Sequence, residues 1–241
     1  FDVAVMPTSR SLSHTEARRR ASAAGTRIAT LPGITRDSFM RTMDTNWRRL
    51  GTYTRKLAAK LSRAQNVTVR SEGGTDRTFA LGERTARADE GMMNSKGAFG
   101  NLPAGEAYCA PLEGTAEGTI VFDGSFPLTG ILNEPLMLTV KKGHVIDIGD
   151  HPCKQELETL FRKYRQDSRN IAEFGVGALE AATISGSTLE DEKVRGTVHI
   201  AVGDNASMGG NVHVPLHLDG IIRQPWVWLD DTLWMEKGEL V

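Results

Sequence analysis

Residues 217–219 read His-Leu-Asp, and on an extended strand residues i and i+2 face the same side. An imidazole and a carboxylate then converge while Leu218 points to the core. Such a pair can hold a divalent cation, or the carboxylate can orient the histidine, and the spacing does not separate the two. His199 tilts the balance towards a cation. It lies within Thr197-Val198-His199-Ile200-Ala201, an apolar strand in which an imidazole needs a hydrogen bond or a metal. The glycine-rich loop at 203–210 is permissive enough to bring the two histidine strands side by side. Two imidazoles and a carboxylate on adjacent strands make a partial zinc or iron site.

Carboxylates nearer the middle of the chain are candidates to complete it. Glu106 and Glu113 sit among small and apolar neighbours, where a carboxylate is costly to bury unless it is paired with a cation. Surface placement at strand ends is the plain alternative for both. Glu173, in Ile171-Ala172-Glu173-Phe174-Gly175-Val176-Gly177, reads as a charge at a helix end beside a glycine-rich turn. Glu192, in Asp191-Glu192-Lys193, reads as solvated, although its nearness to His199 keeps it a candidate.

Other chemistry is disfavoured. Gly203-Asp204-Asn205 and Gly209-Gly210 fit neither a dinucleotide fingerprint nor a P-loop. No G-x-S-x-G elbow singles out a nucleophilic serine. His14 reads as a local cap at a helix start, and His144, His151 and His213 lack comparable company.

The elements that must position these residues fall into two parts. A strand at 3–6, a helix at 16–24 closed by Gly25 and a strand at 27–31 form a βαβ unit. Phe39, Met43, Trp47, Leu50, Tyr53 and Leu57 recur every three or four residues, which predicts one long helix over 36–61. From 66 to 150 the pattern is β-rich, with Lys142-Gly143 as a hairpin turn. A second helix is predicted over 156–171, followed by strands around His199 and His217 and a closing hairpin around Asp230-Asp231. The fold class is therefore α+β, with a partial α/β segment and connecting helix at 1–64 and a β-rich metal-binding domain at 65–241.

Composition narrows the class. The 241 residues are 39% hydrophobic and 24% charged, in keeping with a globular protein, and no apolar run approaches the roughly 20 residues of a membrane span. The start, Phe1-Asp2-Val3, has neither an initiator Met nor a basic lead-in and reads as a strand entered partway through a fold. Cys109 and Cys153 are the two cysteines; without metal spacing they read as free thiols in a cytoplasmic protein. Residues 1–66 carry 13 Lys/Arg against 4 Asp/Glu, and the remainder 16 against 26. No aromatic interleaving accompanies the basic part, so a second subunit suits it better than nucleic acid.

The stretches NLPAGEAYCAP (101–111), EGTAEGTIVFDG (113–124), IAEFGVG (171–177), DEKVRGTVHIAVGDN (191–205) and HLD (217–219) together resemble the M29, aminopeptidase T-like metallopeptidases and the wider superfamily that includes 2,5-dihydroxypyridine 5,6-dioxygenase. The aminopeptidase resemblance implies a cytoplasmic, dimeric hydrolase acting on a small peptide or amino-acid amide. It implies two divalent ions (Zn, Co or Mn) on Glu106, Glu173, His199, His217 and Asp219, with Glu106 and Glu192 in catalytic roles. Val194 and Ala206 stand where the peptidase pattern has a glutamate and a tyrosine, and both departures weigh against peptide hydrolysis. The dioxygenase resemblance implies instead one Fe(II) on two histidines and an aspartate, with His199, His217 and Asp219 as the candidates, and a small hydroxypyridine-like substrate. A catalytically lapsed, metal-stabilised dimer is the third expectation.

Overall fold

The computed structural model describes residues 1–241 except His14, so the cap expected there lies outside the described residues. The chain opens with strand β1 (Val3–Met6), helix α1 (Glu16–Ala23) and strand β2 (Arg27–Thr30), then helices α2 (Arg36–Thr42) and α3 (Trp47–Leu61). Strands β3 (Asn66–Arg70), β4 (Asp76–Ala80), β5 (Arg87–Asp89), β6 (Phe99–Asn101), β7 (Glu106–Cys109) and β8 (Glu117–Phe122) follow. Short β9 (Ser125–Phe126) and β10 (Gly130–Ile131) precede the hairpin β11 (Leu136–Lys141) and β12 (His144–Ile148). After helix α4 (Lys154–Tyr164) come β13 (Ile171–Gly177), the one-turn α5 (Thr188–Asp191), β14 (Thr197–Gly203) and β15 (His217–Arg223). β16 (Trp226–Leu229), β17 (Thr232–Glu236) and β18 (Glu239–Leu240) close the chain.

Three larger pieces result. β1, β2 and β6 form a parallel sheet, so residues 99–101 return to the first βαβ unit. An eight-stranded antiparallel sheet runs β12-β11-β8-β4-β3-β16-β17-β18, and a five-stranded antiparallel sheet runs β15-β14-β13-β7-β5. The mixed α+β class expected from the sequence is what the chain adopts, with its candidate metal ligands in the β-rich part.

The two large sheets pack face to face. Along β13 and β14, Phe174, Val176, Val198, Ile200 and Val202 point into the shared core, and Phe174 meets Phe79 of β4 at 5.3 Å between ring centroids. Burying each such side chain stabilises the fold by about 1.5–3 kcal/mol. Period-two alternation then obliges residues 173, 175, 199, 201, 217 and 219 to occupy the opposite face of the five-stranded sheet. α3 covers the β5–β7 end with Leu50, Thr54, Leu57, Ala58 and Leu61, its buried stripe.

Two helix expectations need correction. The predicted helix over 36–61 is broken into α2 and α3, because Asn46 caps a new start by accepting a hydrogen bond from the Arg49 N–H. The predicted helix over 156–171 ends at Tyr164, and Arg165 takes a left-handed φ of 61°. Ile171 onward belongs to β13, whose backbone pairs with both β7 and β14. Glu173 is therefore mid-strand rather than at a helix end.

Candidate metal centre

Register builds the site. Gly177 pairs with Glu106, Gly175 with His199, and Ala201 with Asp219, while Gly203 pairs with His217. Glu106, Glu173, His199, His217 and Asp219 thus share one face although they come from four strands. Glycine is required in the middle of it. A Cβ at Gly175 would overlap the His199 ring, and one at Gly177 would overlap the backbone of Lys193 and Val194. The bare β13 backbone is what lets both approach.

Among the described residues, two groups of three donors come within reach of one cation each: Glu106, Glu173 and His199, and Glu173, His217 and Asp219. Glu173 belongs to both. Its Oε1 lies 3.3 Å from Nε2 of His199, and its Oε2 lies 3.2 Å from Nε2 of His217. Oε2 of Glu106 is 3.2 Å from the His199 Nε2, and Oδ1 of Asp219 is 3.3 Å from the His217 Nε2. The arrangement expected for a mononuclear site, His199 with His217 and Asp219, is not one of the two groups; Glu173 stands between the histidines.

The donors fit a divalent cation. Glu106, Glu173 and Asp219 are each 7% exposed and His199 is fully buried, so the charges are out of water and expensive unless shared. Oε2 of Glu106, Oδ1 of Asp219 and Nδ1 of His199 have no hydrogen-bond partner. The first two face an imidazole nitrogen at 3.2–3.3 Å without hydrogen-bond alignment. Two donors at right angles on one first-row ion lie about 3 Å apart. Oxygen and imidazole donors with no thiolate suit iron, manganese or zinc.

Electrostatics tie the five side chains together. Burial works against ionised Glu173, but hydrogen bonds from His199 and His217 hold its carboxyl well below the usual range. Burial likewise opposes a charged His199, yet Glu173 and Glu106 push it up to about 9. His217 is raised well above its ordinary value against burial, by Asp219 and Glu173. Its side chain, 32% exposed, marks the side from which solvent reaches the cluster.

Lys193 and Asp89 were not anticipated. The Lys193 ammonium, wholly buried, lies 2.6 Å from Oε1 of Glu106 and 2.5 Å from Oε1 of Glu192, with Asp89 at 3.7 Å. Burial pushes Asp89 up to about 7 and Glu192 to about 8, with Lys193 opposing both. Glu192 therefore sits at the edge of the cluster, held by Lys193, and belongs to neither donor group. No local pattern marked Lys193 as buried, because an Asp-Glu-Lys run reads as solvated. Arg87 and Asp89 alternate with Ala88, which was the available sign that Asp89 shares a face with Glu106. Glu113 lies elsewhere: it binds Arg84, the Asn205 amide and the Asn211 N–H.

Residues 2–241 match the family described as NicX: 2,5-dihydroxypyridine 5,6-dioxygenase. The chain belongs to this family. A 2,5-dihydroxypyridine 5,6-dioxygenase of Pseudomonas putida KT2440 is 28% identical over 203 residues, covering 78% of this chain and 58% of that protein. The chain thus spans less than two thirds of that relative's length. The solved structure of 2,5-dihydroxypyridine dioxygenase from Pseudomonas putida KT2440 shares the fold, with a TM-score of 0.84 at 23% identity over 100% of this chain and 72% of that one. Wild-type AmpT from Thermus thermophilus is more distant, with a TM-score of 0.69 at 19% identity over 91% of this chain and 66% of that one.

Membership in the NicX family corrects the M29 assignment, and the aminopeptidase, protease and hydrolase expectations go with it. The motifs that carried the resemblance hold the five candidate donors and the strands that position them, and a donor set of this kind does not by itself name the reaction. No helix among the described residues is long and apolar enough to cross a membrane.

Proposed function

We propose that this chain is part of a ring-cleaving dioxygenase that uses Fe(II) and takes a small hydroxypyridine-like aromatic. The observation that supports it most is the group Glu173, His217 and Asp219, with a buried carboxylate oxygen left unpartnered, in a chain of the NicX family. These three residues would hold the ion, with His199 on the far side of Glu173. When bound, Fe(II) supplies open positions at which O2 and a hydroxylated ring can meet.

The chain's own groups complete the site. Glu173 fixes both imidazoles, one on each oxygen. His199 holds a proton at Nε2 between Glu106 and Glu173, which helps to keep the Glu173 carboxylate charged and in place for the ion. The fully buried ring and the apolar layer behind it keep water from the inner side, and the exposed edge of His217 is the side from which an aromatic enters.

A cytoplasmic setting is part of the proposal, supported by two free, buried cysteines. So is a homodimer, supported by the charge split between the first 66 residues and the rest. The division at residue 64 into a partial α/β segment and a catalytic domain is proposed on the run of strands that begins at β3, with residues 99–101 returning to the first sheet.

The deciding experiment loads the protein with Fe(II) under anaerobic conditions, adds 2,5-dihydroxypyridine and records oxygen uptake. Stoichiometric uptake with loss of the ring absorbance, absent in Asp219→Ala, is expected. Iron-loaded, folded protein that consumes no oxygen with any hydroxypyridine offered would overturn the proposal.

A further inference from the structure

The two donor groups look equivalent by composition, since each contains Glu173, one imidazole and one further carboxylate. Their surroundings are not equivalent. The ammonium of Lys193 lies 2.6 Å from Oε1 of Glu106, and it touches no member of the group formed by Glu173, His217 and Asp219. We propose that Lys193 is the residue that sets how many ions the centre retains: its ammonium disables the position at Glu106, Glu173 and His199, and leaves the position at Glu173, His217 and Asp219 as the one that binds.

Two physical effects act together. Glu106 has one carboxylate to give, and Lys193 already draws on it through a charge-assisted hydrogen bond. The remaining oxygen, Oε2, is a weaker donor for a cation than a free carboxylate would be. Second, a divalent ion on Oε2 would lie on the order of 5 Å from the Lys193 nitrogen, and at that range in a partly buried site the repulsion weakens binding by well over tenfold.

The ammonium is locked in place. Lys193 is fully buried, and Glu192 and Asp89 flank it beside Glu106. Its backbone N–H is bonded to the Glu190 carbonyl, and its carbonyl accepts from the Leu179 N–H. The glycine at 177 lets this segment lie directly on β13. A side chain so placed cannot swing out to make room for a second ion without exposing three acids to one another.

This inference rests on the metal-centre reading, and the test separates the two. Equilibrium dialysis against Mn(II) from about 1 µM to 1 mM, with bound metal measured by mass spectrometry, gives ions per chain without reference to turnover. The wild-type protein is expected to saturate at one ion, with any second ion at least tenfold weaker. Lys193→Met, which keeps length and removes charge, is expected to tighten the second ion at least tenfold, whereas Lys193→Arg stays at one. Asp219→Ala provides an arm that does not depend on altering Lys193. It spoils the first position and leaves the second complete, and it is expected to lose Mn(II) binding at least tenfold.

Two equal ions in the wild type, an unchanged single ion in folded Lys193→Met, or wild-type affinity in Asp219→Ala would each overturn the assignment to Lys193. No bound Mn(II) in any variant would instead overturn the metal centre itself.

Discussion

His199 and His217 face opposite oxygens of a single carboxylate, at 3.3 and 3.2 Å from Glu173. The two imidazoles come from adjacent strands whose register places His199 opposite Ile221 and His217 opposite Gly203, so they do not sit side by side. Glu173, from the strand beyond, reaches across to both. The centre is organised around this acid more than around either histidine.

Replacement of Glu173 should therefore damage the site more than replacement of either imidazole. Glu173→Gln keeps the shape but removes the charge both groups share, and metal affinity is expected to fall by at least about 100-fold, against about 10–100-fold for His199→Ala. Isothermal titration with Mn(II) checks this. An unchanged affinity in Glu173→Gln would remove the acid from the ligand set. In the wild type, saturating metal at about 100 times its dissociation constant should stabilise the fold by about 2.7 kcal/mol, so chelation is expected to lower Tm by roughly 5–10 °C.

Gly175 is a sterically required residue. Gly175→Ala drives a methyl into the His199 ring, and the fixed sheet backbone leaves the ring to move. A stability loss of about 1–3 kcal/mol is expected, along with weakened catalysis, since His199 leaves its place between Glu106 and Glu173. Gly73→Ala serves as the control, because its nearest contacts are at 3.7 Å. Equal melting temperatures for the two variants would contradict the packing argument.

Glu113 gives the fold an acid-sensitive joint. Burial raises its pKa, but the Asn211 N–H, the Asn205 amide and Arg84 more than compensate, holding the carboxyl below its ordinary value. A carboxyl depressed on folding contributes stability that is present above its unfolded pKa and lost as pH falls through the folded one. Glu113→Gln should thus cost about 1–2 kcal/mol near pH 7, and the gap to the wild type should narrow as pH falls below about 4 and close only below the depressed folded pKa. Thermal melts followed from pH 7 down to about pH 2.5 test it; a gap that does not narrow in acid would argue against the charge as the cause.

Arg77 is a liability that a substitution should relieve. It is 1% exposed, and its three guanidinium nitrogens have no hydrogen-bond partner. Burial pulls its pKa down against the pull of Glu117, yet a guanidinium remains charged at working pH, so the cation sits in the interior with no hydrogen-bonded acid and only the Phe79 ring at 6.0 Å beneath it. Arg77→Met matches the volume approximately and removes the charge. A gain of about 1–4 kcal/mol is expected, seen as a higher Tm. A large loss of stability would show that Arg77 carries an interaction of its own.

Much of the site was legible because alternation is a local property. Once 217–219 and 197–201 are strands, His217 and Asp219 share a face of one and His199 lies among apolar neighbours in the other. The pairing of their two strands as neighbours in one sheet followed from the glycine-bearing connection between Gly203 and His217. Glu173 was singled out as a residue but misplaced, because the helical spacing of Leu157, Leu160, Phe161 and Tyr164 was extended seven residues too far. The alternation of Glu173 with Gly175 and Gly177 held the strand signal, and only pairing with β7 and β14 made it decisive.

The sequence by itself determined the mixed class, the two histidine strands, the candidate acids and a resemblance broad enough to include the dioxygenases. Tertiary structure decided which acid bridges the histidines, that Glu192 is held by Lys193, and that Glu113 ties down a distant loop. The division has a physical cause. Which face a strand residue occupies depends on its immediate neighbours, whereas which charges meet across strands depends on register and on backbones such as that of Gly175 that leave space, and neither is encoded within a few residues.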